Sequence, residues 1–211
     1  MEKFVSHSGI AAALLHPNID TDTIIPSREM TRVSRKGLKE GLFAAWRYTL
    51  PGSRETNPEF ILNRPEYEST SIILSSDNFG CGSSREHAVW ALKEYGIRVI
   101  IALSFGSIFH NNCIRNGLLP IVMADSAIKT MADWVEKDPQ HHHLSIDLPT
   151  QTVRWLNGEL FKFELDEAQK DMLIRGLDAI SLTQTLNEEI YTFEHKDRLE
   201  RPWIYLEQYK P

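Results

Sequence analysis

Two glycines, two hydroxyls and a guanidinium fall within the ten residues Asn78-Phe79-Gly80-Cys81-Gly82-Ser83-Ser84-Arg85-Glu86-His87. Together they outline a site for a small anion. The first N–H groups of a helix have no intrahelical partners, and the helix dipole turns its positive end toward them. An anion can therefore be held by backbone alone where no side chain blocks the approach. Gly80 and Gly82 supply open backbone, Ser83 and Ser84 can cap the helix or face a ligand, and Arg85 offers a planar fork for two-point contact with a carboxylate.

Other chemistries fit these residues less well. No Gly-Lys-Ser/Thr follows the second glycine, as a Walker loop needs, and the spacing is not that of the dinucleotide fingerprint. Neither serine lies between glycines in the Gly-x-Ser-x-Gly order of a hydrolase elbow. Cys81 with His87 could form a thiol nucleophile and its base, although a cysteine beside glycines is more often a small packed residue. The plain alternative is a capped helix behind a tight turn, with Arg85 and Glu86 solvated. Two further sets resemble metal ligands. Asp20 and Asp22 alternate in a polar turn, which more often caps backbone N–H groups, and the rest of a calcium loop is missing. His141, His142 and His143 are adjacent and cannot all face one ion from a regular element, which favours a solvated turn. No metal ligand is assigned to this chain.

The loop can work only if a strand delivers it and a helix follows. Residues 71–75 form a short β-branched run, as expected of a buried strand, and 86–95 place Ala88, Ala91, Leu92 and Tyr95 on one helical face. The alternation then continues with a strand over 97–102, a helix over 105–115 closed by Asn116-Gly117, a strand over 118–123 and a helix from Asp125-Ser126 to about 137. Such an order defaults to parallel strands with right-handed crossovers. Strands over 145–148, 151–156 and 160–164 read as antiparallel, the last two joined by an Asn157-Gly158 hairpin turn. Asp166 should cap a helix ending near Gly176, and Ser181 begins a shorter one to about 193, so that 166–211 forms a C-terminal helical extension. Between 27 and 65 regular pattern fades among Gly37, Gly41, Pro51, Gly52, Pro58 and Pro65. Phe43, Trp46, Tyr48 and Phe60 suggest an ordered flap there.

Composition narrows the class. A chain of 211 residues, 42% hydrophobic and 25% charged, is expected to be one globular domain with a substantial core. Cys81 and Cys113 are too few for a disulfide framework or an iron–sulfur site, which fits a reducing cytoplasm. The N-terminal residues lack an apolar signal region and no stretch approaches the length of a membrane span. A formal net charge of −6 argues against a nucleic-acid surface, so an anionic substrate must be drawn by local cations. Arg28, Arg32, Arg35 and Lys36 are the candidate patch, with a solvated loop as the alternative.

Three blocks in order carry a resemblance: Asn18-Ile19-Asp20-Thr21-Asp22-Thr23-Ile24-Ile25-Pro26, the glycine loop through Ala88, and Ser104-Phe105 through Asn116-Gly117-Leu118-Leu119-Pro120. Gly41-Leu42-Phe43-Ala44-Ala45-Trp46-Arg47-Tyr48 and Gly176-Leu177-Asp178 extend it over nearly the whole length. The chain resembles the small subunits of 3-isopropylmalate dehydratase, relatives of the swivelling domain of aconitase. The resemblance implies an α/β fold, a three-layer β/β/α swivelling domain with a mixed sheet and flanking helices. It also implies a hydro-lyase of leucine biosynthesis, active only with a large subunit whose 4Fe-4S cluster serves as Lewis acid on a small dicarboxylate substrate. In the aconitase pattern the first serine of the block is the base, which falls on Ser83, and the arginine that binds substrate carboxylate falls on Arg85. Ser84 and Gly82 are expected to assist in binding. The loop after Pro26 is expected to line the pocket for the substrate's variable group, with Arg28 and Met30 as contacts. Here the chain departs from the apolar residues common in the family, since Glu29 precedes Met30. Either Glu29 faces solvent and Met30 the pocket, or Glu29 marks a relative acting on 2-methylmalate or 2,3-dimethylmalate. A free-standing anion-binding module is the reading from another class.

Overall fold

The computed structural model describes residues 1–30 and 36–205. Two units are distinguished, Met1–Gly176 and Leu177–Pro211. The first is built on one seven-stranded mixed sheet of order β4-β3-β2-β1-β5-β6-β7. Parallel pairing joins β1 (Ser6–Leu14), β2 (Thr70–Ser75), β3 (Val99–Ala102) and β4 (Leu119–Val122). Antiparallel pairing joins β1 to β5 (Leu144–Asp147), then β6 (Thr152–Arg154) and β7 (Leu160–Lys162).

The parallel strands β2, β3 and β4 carry apolar runs because both faces of this half of the sheet are covered. On one face Ala12, Ile73 and Ile100 pack with Ala88, Val89 and Leu92 of α3 (Glu86–Tyr95), with Phe109 and Cys113 of α4 (Ser107–Asn116), and with Leu38, Leu42, Phe43 and Leu62 of the 27–65 segment. On the other face Ala11, Ile72, Leu74, Val99 and Ile101 pack with Ile128, Met131 and Val135 of α5 (Asp125–Val135) and Leu173 of α6 (Glu167–Arg175). The expected mixed sheet with flanking helices is therefore present. Pro120 costs no ladder bond in a sheet interior, because β4 is an edge strand.

The central strand is the one the sequence hides. β1 carries Gly9 and three alanines, residues of low strand propensity, and its place is decided by packing. A Cβ on Gly9 would sit 2.1 Å from Ser71 Oγ, so the bare backbone is what admits β2 alongside. Two other expectations change. The β6–β7 connection is a five-residue loop, since Arg154 pairs with Leu160 across a 3₁₀ turn at Leu156–Gly158, in place of a two-residue turn at Asn157-Gly158. Within the second unit, Asp178 caps α7 (Ala179–Gln184) by accepting from Ser181 N at 2.7 Å, and a longer α8 (Asn187–Glu200) follows. The single helix read from Ser181 to about 193 is thus two. Asp166 caps α6 as its position suggested, accepting from the Ala168 and Gln169 N–H groups.

Aromatic packing holds part of the described segment after Ser27. The short helix α2 (Ala44–Arg47) meets the 3₁₀ turn at Ile61–Asn63 through Phe43, Trp46 and Phe60, whose ring centroids lie 5.7–6.0 Å apart, and Leu38 and Tyr67 of the 3₁₀ turns at Leu38–Gly41 and Pro65–Tyr67 are buried in the same core cluster. Arg32 and Arg35 of the basic patch lie outside the described residues.

Candidate active site

Parallel strands with crossovers gather their outgoing loops at one edge, and ligands of such sheets bind outside the carboxyl ends. Here the loops leaving β1, β2 and β3 are the three motif blocks. The Gly80 N–H donates to Ile19 O (2.7 Å), Thr21 N–H to Cys81 O (3.0 Å) and Thr21 Oγ1 to Ser83 O (3.2 Å), which joins the first block to the glycine loop. Phe79 N–H donates to Ser104 O (3.0 Å), Gly106 N–H to Phe79 O (2.9 Å) and Asn78 N–H to Ser104 Oγ (2.8 Å), which joins it to the third. Beneath the loop the Phe79 ring meets Phe105 and Phe109 edge-on at 6.3 and 5.5 Å. Gly80 is in the left-handed region (φ +73°), and a Cβ there would lie 2.1 Å from the Phe109 ring. No other residue type fits that turn without displacing the ring.

The loop ends at the amino end of α3. Arg85 occupies the N-cap position with no side-chain capping bond, so neither serine closes the helix end. Ser83 and Ser84 are exposed, and among the described residues neither hydroxyl has a protein partner. Gly82 is also exposed, with left-handed backbone (φ +89°). Gly80 to Ser83 and Gly106 to Phe109 line an open cleft of about 160 Å³. That is well below the ~300 Å³ at which small-molecule pockets usually begin.

Arg85 is paired and partly exposed. Its side chain is 25% exposed, and Nη1 donates to Asp22 Oδ1 on α1 (Thr21–Ile24). The Arg85 hydrogen bond holds the Asp22 carboxyl below its ordinary pKa. Asp20 has the other role expected of this pair, capping α1 by accepting from Thr23 N–H at 2.7 Å. Glu86 likewise has a partner, accepting from Asn116 Nδ2 at 2.7 Å. Burial, then the charge of Asp20, pushes the Cys81 thiol up, which disfavours a thiolate, and His87 lies against Trp90 with centroids 4.7 Å apart. His141 binds Asp138 (2.8 Å) and His142 the Trp134 carbonyl (2.6 Å) in a turn after α5. Among the described residues no three His, Cys, Asp or Glu side chains converge as metal ligands. Nor do the cysteines suit an iron–sulfur cluster, since Cys113 is fully buried with its thiol pushed well up.

Arg28 and Met30 stand apart from the cleft. Arg28 lines a separate cavity of about 300 Å³ with Glu29, Lys36, Gly37, Leu38, Glu40 and Arg54, while Met30 packs half-buried against the core. Glu29 does not face solvent: its side chain is 8% exposed, 2.7 Å from Arg54 Nη2 and 3.5 Å from Arg28 Nε. A larger cavity, about 470 Å³, lies at the far end of α3 among Arg47, Asn63, Arg64 and Tyr95, and no residue of the glycine loop lines it. Asp22 and Thr21 are the site residues the sequence reading missed. The Asp-x-Asp spacing was the available signal, but it reads equally as turn capping.

A family model described as the aconitase C-terminal domain matches residues 1–126. A 3-isopropylmalate dehydratase small subunit from Cupriavidus necator is 54% identical over 207 residues, covering 98% of this chain and 100% of the relative. The chain belongs to the 3-isopropylmalate dehydratase small-subunit family. Another such small subunit, from Azorhizobium caulinodans, is 45% identical over 204 residues, covering 97% and 100%. Among solved structures, a 3-isopropylmalate dehydratase (LeuD) from Methanocaldococcus jannaschii aligns with a TM-score of 0.62 at 25% identity, covering 90% of this chain and 99% of that one. Membership in this small-subunit family spans both units, since the relatives match almost the full length. No described helix is long and apolar enough to cross a membrane.

Proposed function

We propose that this chain is the small subunit of a 3-isopropylmalate dehydratase, which interconverts 2- and 3-isopropylmalate in leucine biosynthesis by dehydration and rehydration. It works in the cytoplasm with a large subunit whose 4Fe-4S cluster supplies the Lewis acid. The observation that carries this reading is the joining of the three motif blocks by hydrogen bonds at the α3 amino end, where the second and third line an open cleft. Ser83 is the base: its Oγ takes the proton from the carbon alpha to a carboxylate. The C–O bond on the neighbouring carbon breaks and hydroxide leaves on the large-subunit side. A serine hydroxyl ionises near neutrality only with strong support. The free N–H groups of α3 and the Arg85 charge provide it once docking excludes water, a form of electrostatic stabilisation worth several kcal/mol. Arg85 binds the substrate carboxylate, while Ser84 and the Gly82 backbone add hydrogen bonds. Arg28 and Met30 act on the flap over 27–65, which covers the substrate in the assembled enzyme.

Glu29 favours the isopropyl substrate over smaller or more polar malates, because a carboxylate engaged by Arg54 and Arg28 is withdrawn from the pocket wall. The test is reconstitution with the large subunit and a panel of isopropyl-, methyl- and dimethylmalate, following the alkene absorbance of the dehydrated intermediate. Turnover only in the reconstituted pair, and fastest on isopropylmalate, is expected. Tight dicarboxylate binding by the chain alone, with no turnover on reconstitution, would make it a binding module.

A further inference from the structure

We propose that Asp22 is a positioning residue for carboxylate recognition. It pins one nitrogen of the Arg85 guanidinium so that the opposite edge presents two parallel donors to the substrate. The inference rests on the assignment of Arg85 to substrate binding and adds the residue that makes it effective. Arg85 Nη1 donates to Asp22 Oδ1, while Nε and Nη2 have no partner among the described residues. The unused Nε–Nη2 edge is the geometry that receives a carboxylate in fork fashion. An unrestrained arginine samples many rotamers, and ordering it on binding has an entropic cost that a side chain already held does not incur again.

Asp22 is itself held in place. It lies on α1, whose Thr21 is 1% exposed and bonded to Cys81 O and Ser83 O, so that helix and glycine loop move as one. Ser27 Oγ, at the start of the flap segment, lies 3.4 Å from the same Asp22 oxygen. The carboxylate therefore links flap, base-bearing loop and guanidinium. Asp22 could instead be a rival that substrate displaces, but a rival carboxylate would take the two-donor edge, and Asp22 takes a single nitrogen. The two roles differ in the sign of their effect on KM.

The experiment uses the reconstituted two-subunit enzyme with isopropylmalate. Asp22→Asn, which is isosteric and half-exposed, should raise KM about tenfold with kcat changed less than about threefold and thermal midpoint unmoved, and Asp22→Glu should recover part of the loss. Placed on an Arg85→Lys background, Asp22→Asn should add less than about twofold, because the fork it orients is gone. A KM within about twofold of wild type for Asp22→Asn, while Arg85→Lys raises it, would overturn the inference and leave the function standing. So would a fall in KM, which would mark Asp22 as a competitor, or a full tenfold effect on the Arg85→Lys background. If Arg85→Lys itself leaves KM unmoved, the assignment of Arg85 fails and the inference with it.

Discussion

Ser83 carries no hydrogen bond from its hydroxyl to any described residue and stands exposed two positions before Arg85, so removing its oxygen should cost chemistry and little else. Ser83→Ala in the reconstituted enzyme is expected to lower kcat about 10²- to 10⁴-fold, the usual worth of a general base, with subunit association unchanged by gel filtration. Near-normal turnover would remove Ser83 from that role. Glu29 shows the opposite dependence. Its carboxylate is buried against two arginines, and its Cβ lies 2.5 Å from where a Cβ on Gly41 would sit, so the turn at Leu38–Gly41 is built around it. Arg54 is half-exposed, which discounts the pair toward the surface value. Glu29→Gln should then cost about 1 kcal/mol and lower Tm by roughly 2–4 °C in calorimetry. An unchanged Tm would mean the pair is solvated. Sequence read Glu29 as a question about substrate because nothing local reveals Arg54, which is brought to it from the loop beyond α2.

At the level of elements, the strand-to-helix turn depends on Gly80. Gly80→Ala forces a side chain into left-handed backbone and into the Phe109 ring, a combined cost of about 2–4 kcal/mol, which should lower Tm by roughly 5–10 °C. Retention of wild-type Tm would show that the ring can move aside. The β1–β2 pair carries a pH dependence. His7 Nε2 lies 2.8 Å from Ser71 Oγ, and burial, then the nearby Arg98 charge, lowers its pKa below 6.5. Burial lowers that of His110 in α4 as well. A base with a depressed folded-state pKa gives stability that is complete above the unfolded value and is lost as pH falls, because the unfolded chain takes up the proton first. Urea midpoints should therefore drop between pH 7.5 and pH 5.5, and His7→Gln should flatten part of that slope; an equal slope in the variant would assign it elsewhere. Helices α3 and α4 were legible to within two residues from the apolar face of the first and the Asn116-Gly117 stop of the second, and Gly96 and Gly117 end them in left-handed caps. β1 was not, since glycine and alanines acquire strand geometry only from the neighbours they admit.

For the whole molecule, both core clusters are contained between Phe4 and Leu173, and the Met1 amino group donates to Gly176 O at 2.8 Å, so unit 1 closes on itself. A chain ending at Gly176 is expected to melt cooperatively within a few degrees of the full protein, read by circular dichroism, whereas a broad, non-cooperative melt would show that 177–211 completes the core. What sequence alone determined were the features written in local chemistry: the glycine loop, the strand–helix alternation around it, the helix stops, and the family that their order identifies. What only tertiary structure decided were the pairings across distance: Asp22 with Arg85, Glu29 with Arg54, and β1 as the hinge between the parallel and antiparallel halves. The physical reason is that a turn or a cap is set by neighbours in the chain, whereas an ion pair or a buried alanine strand takes its identity from residues 25 to 64 positions away, which only the packed sheet brings within reach.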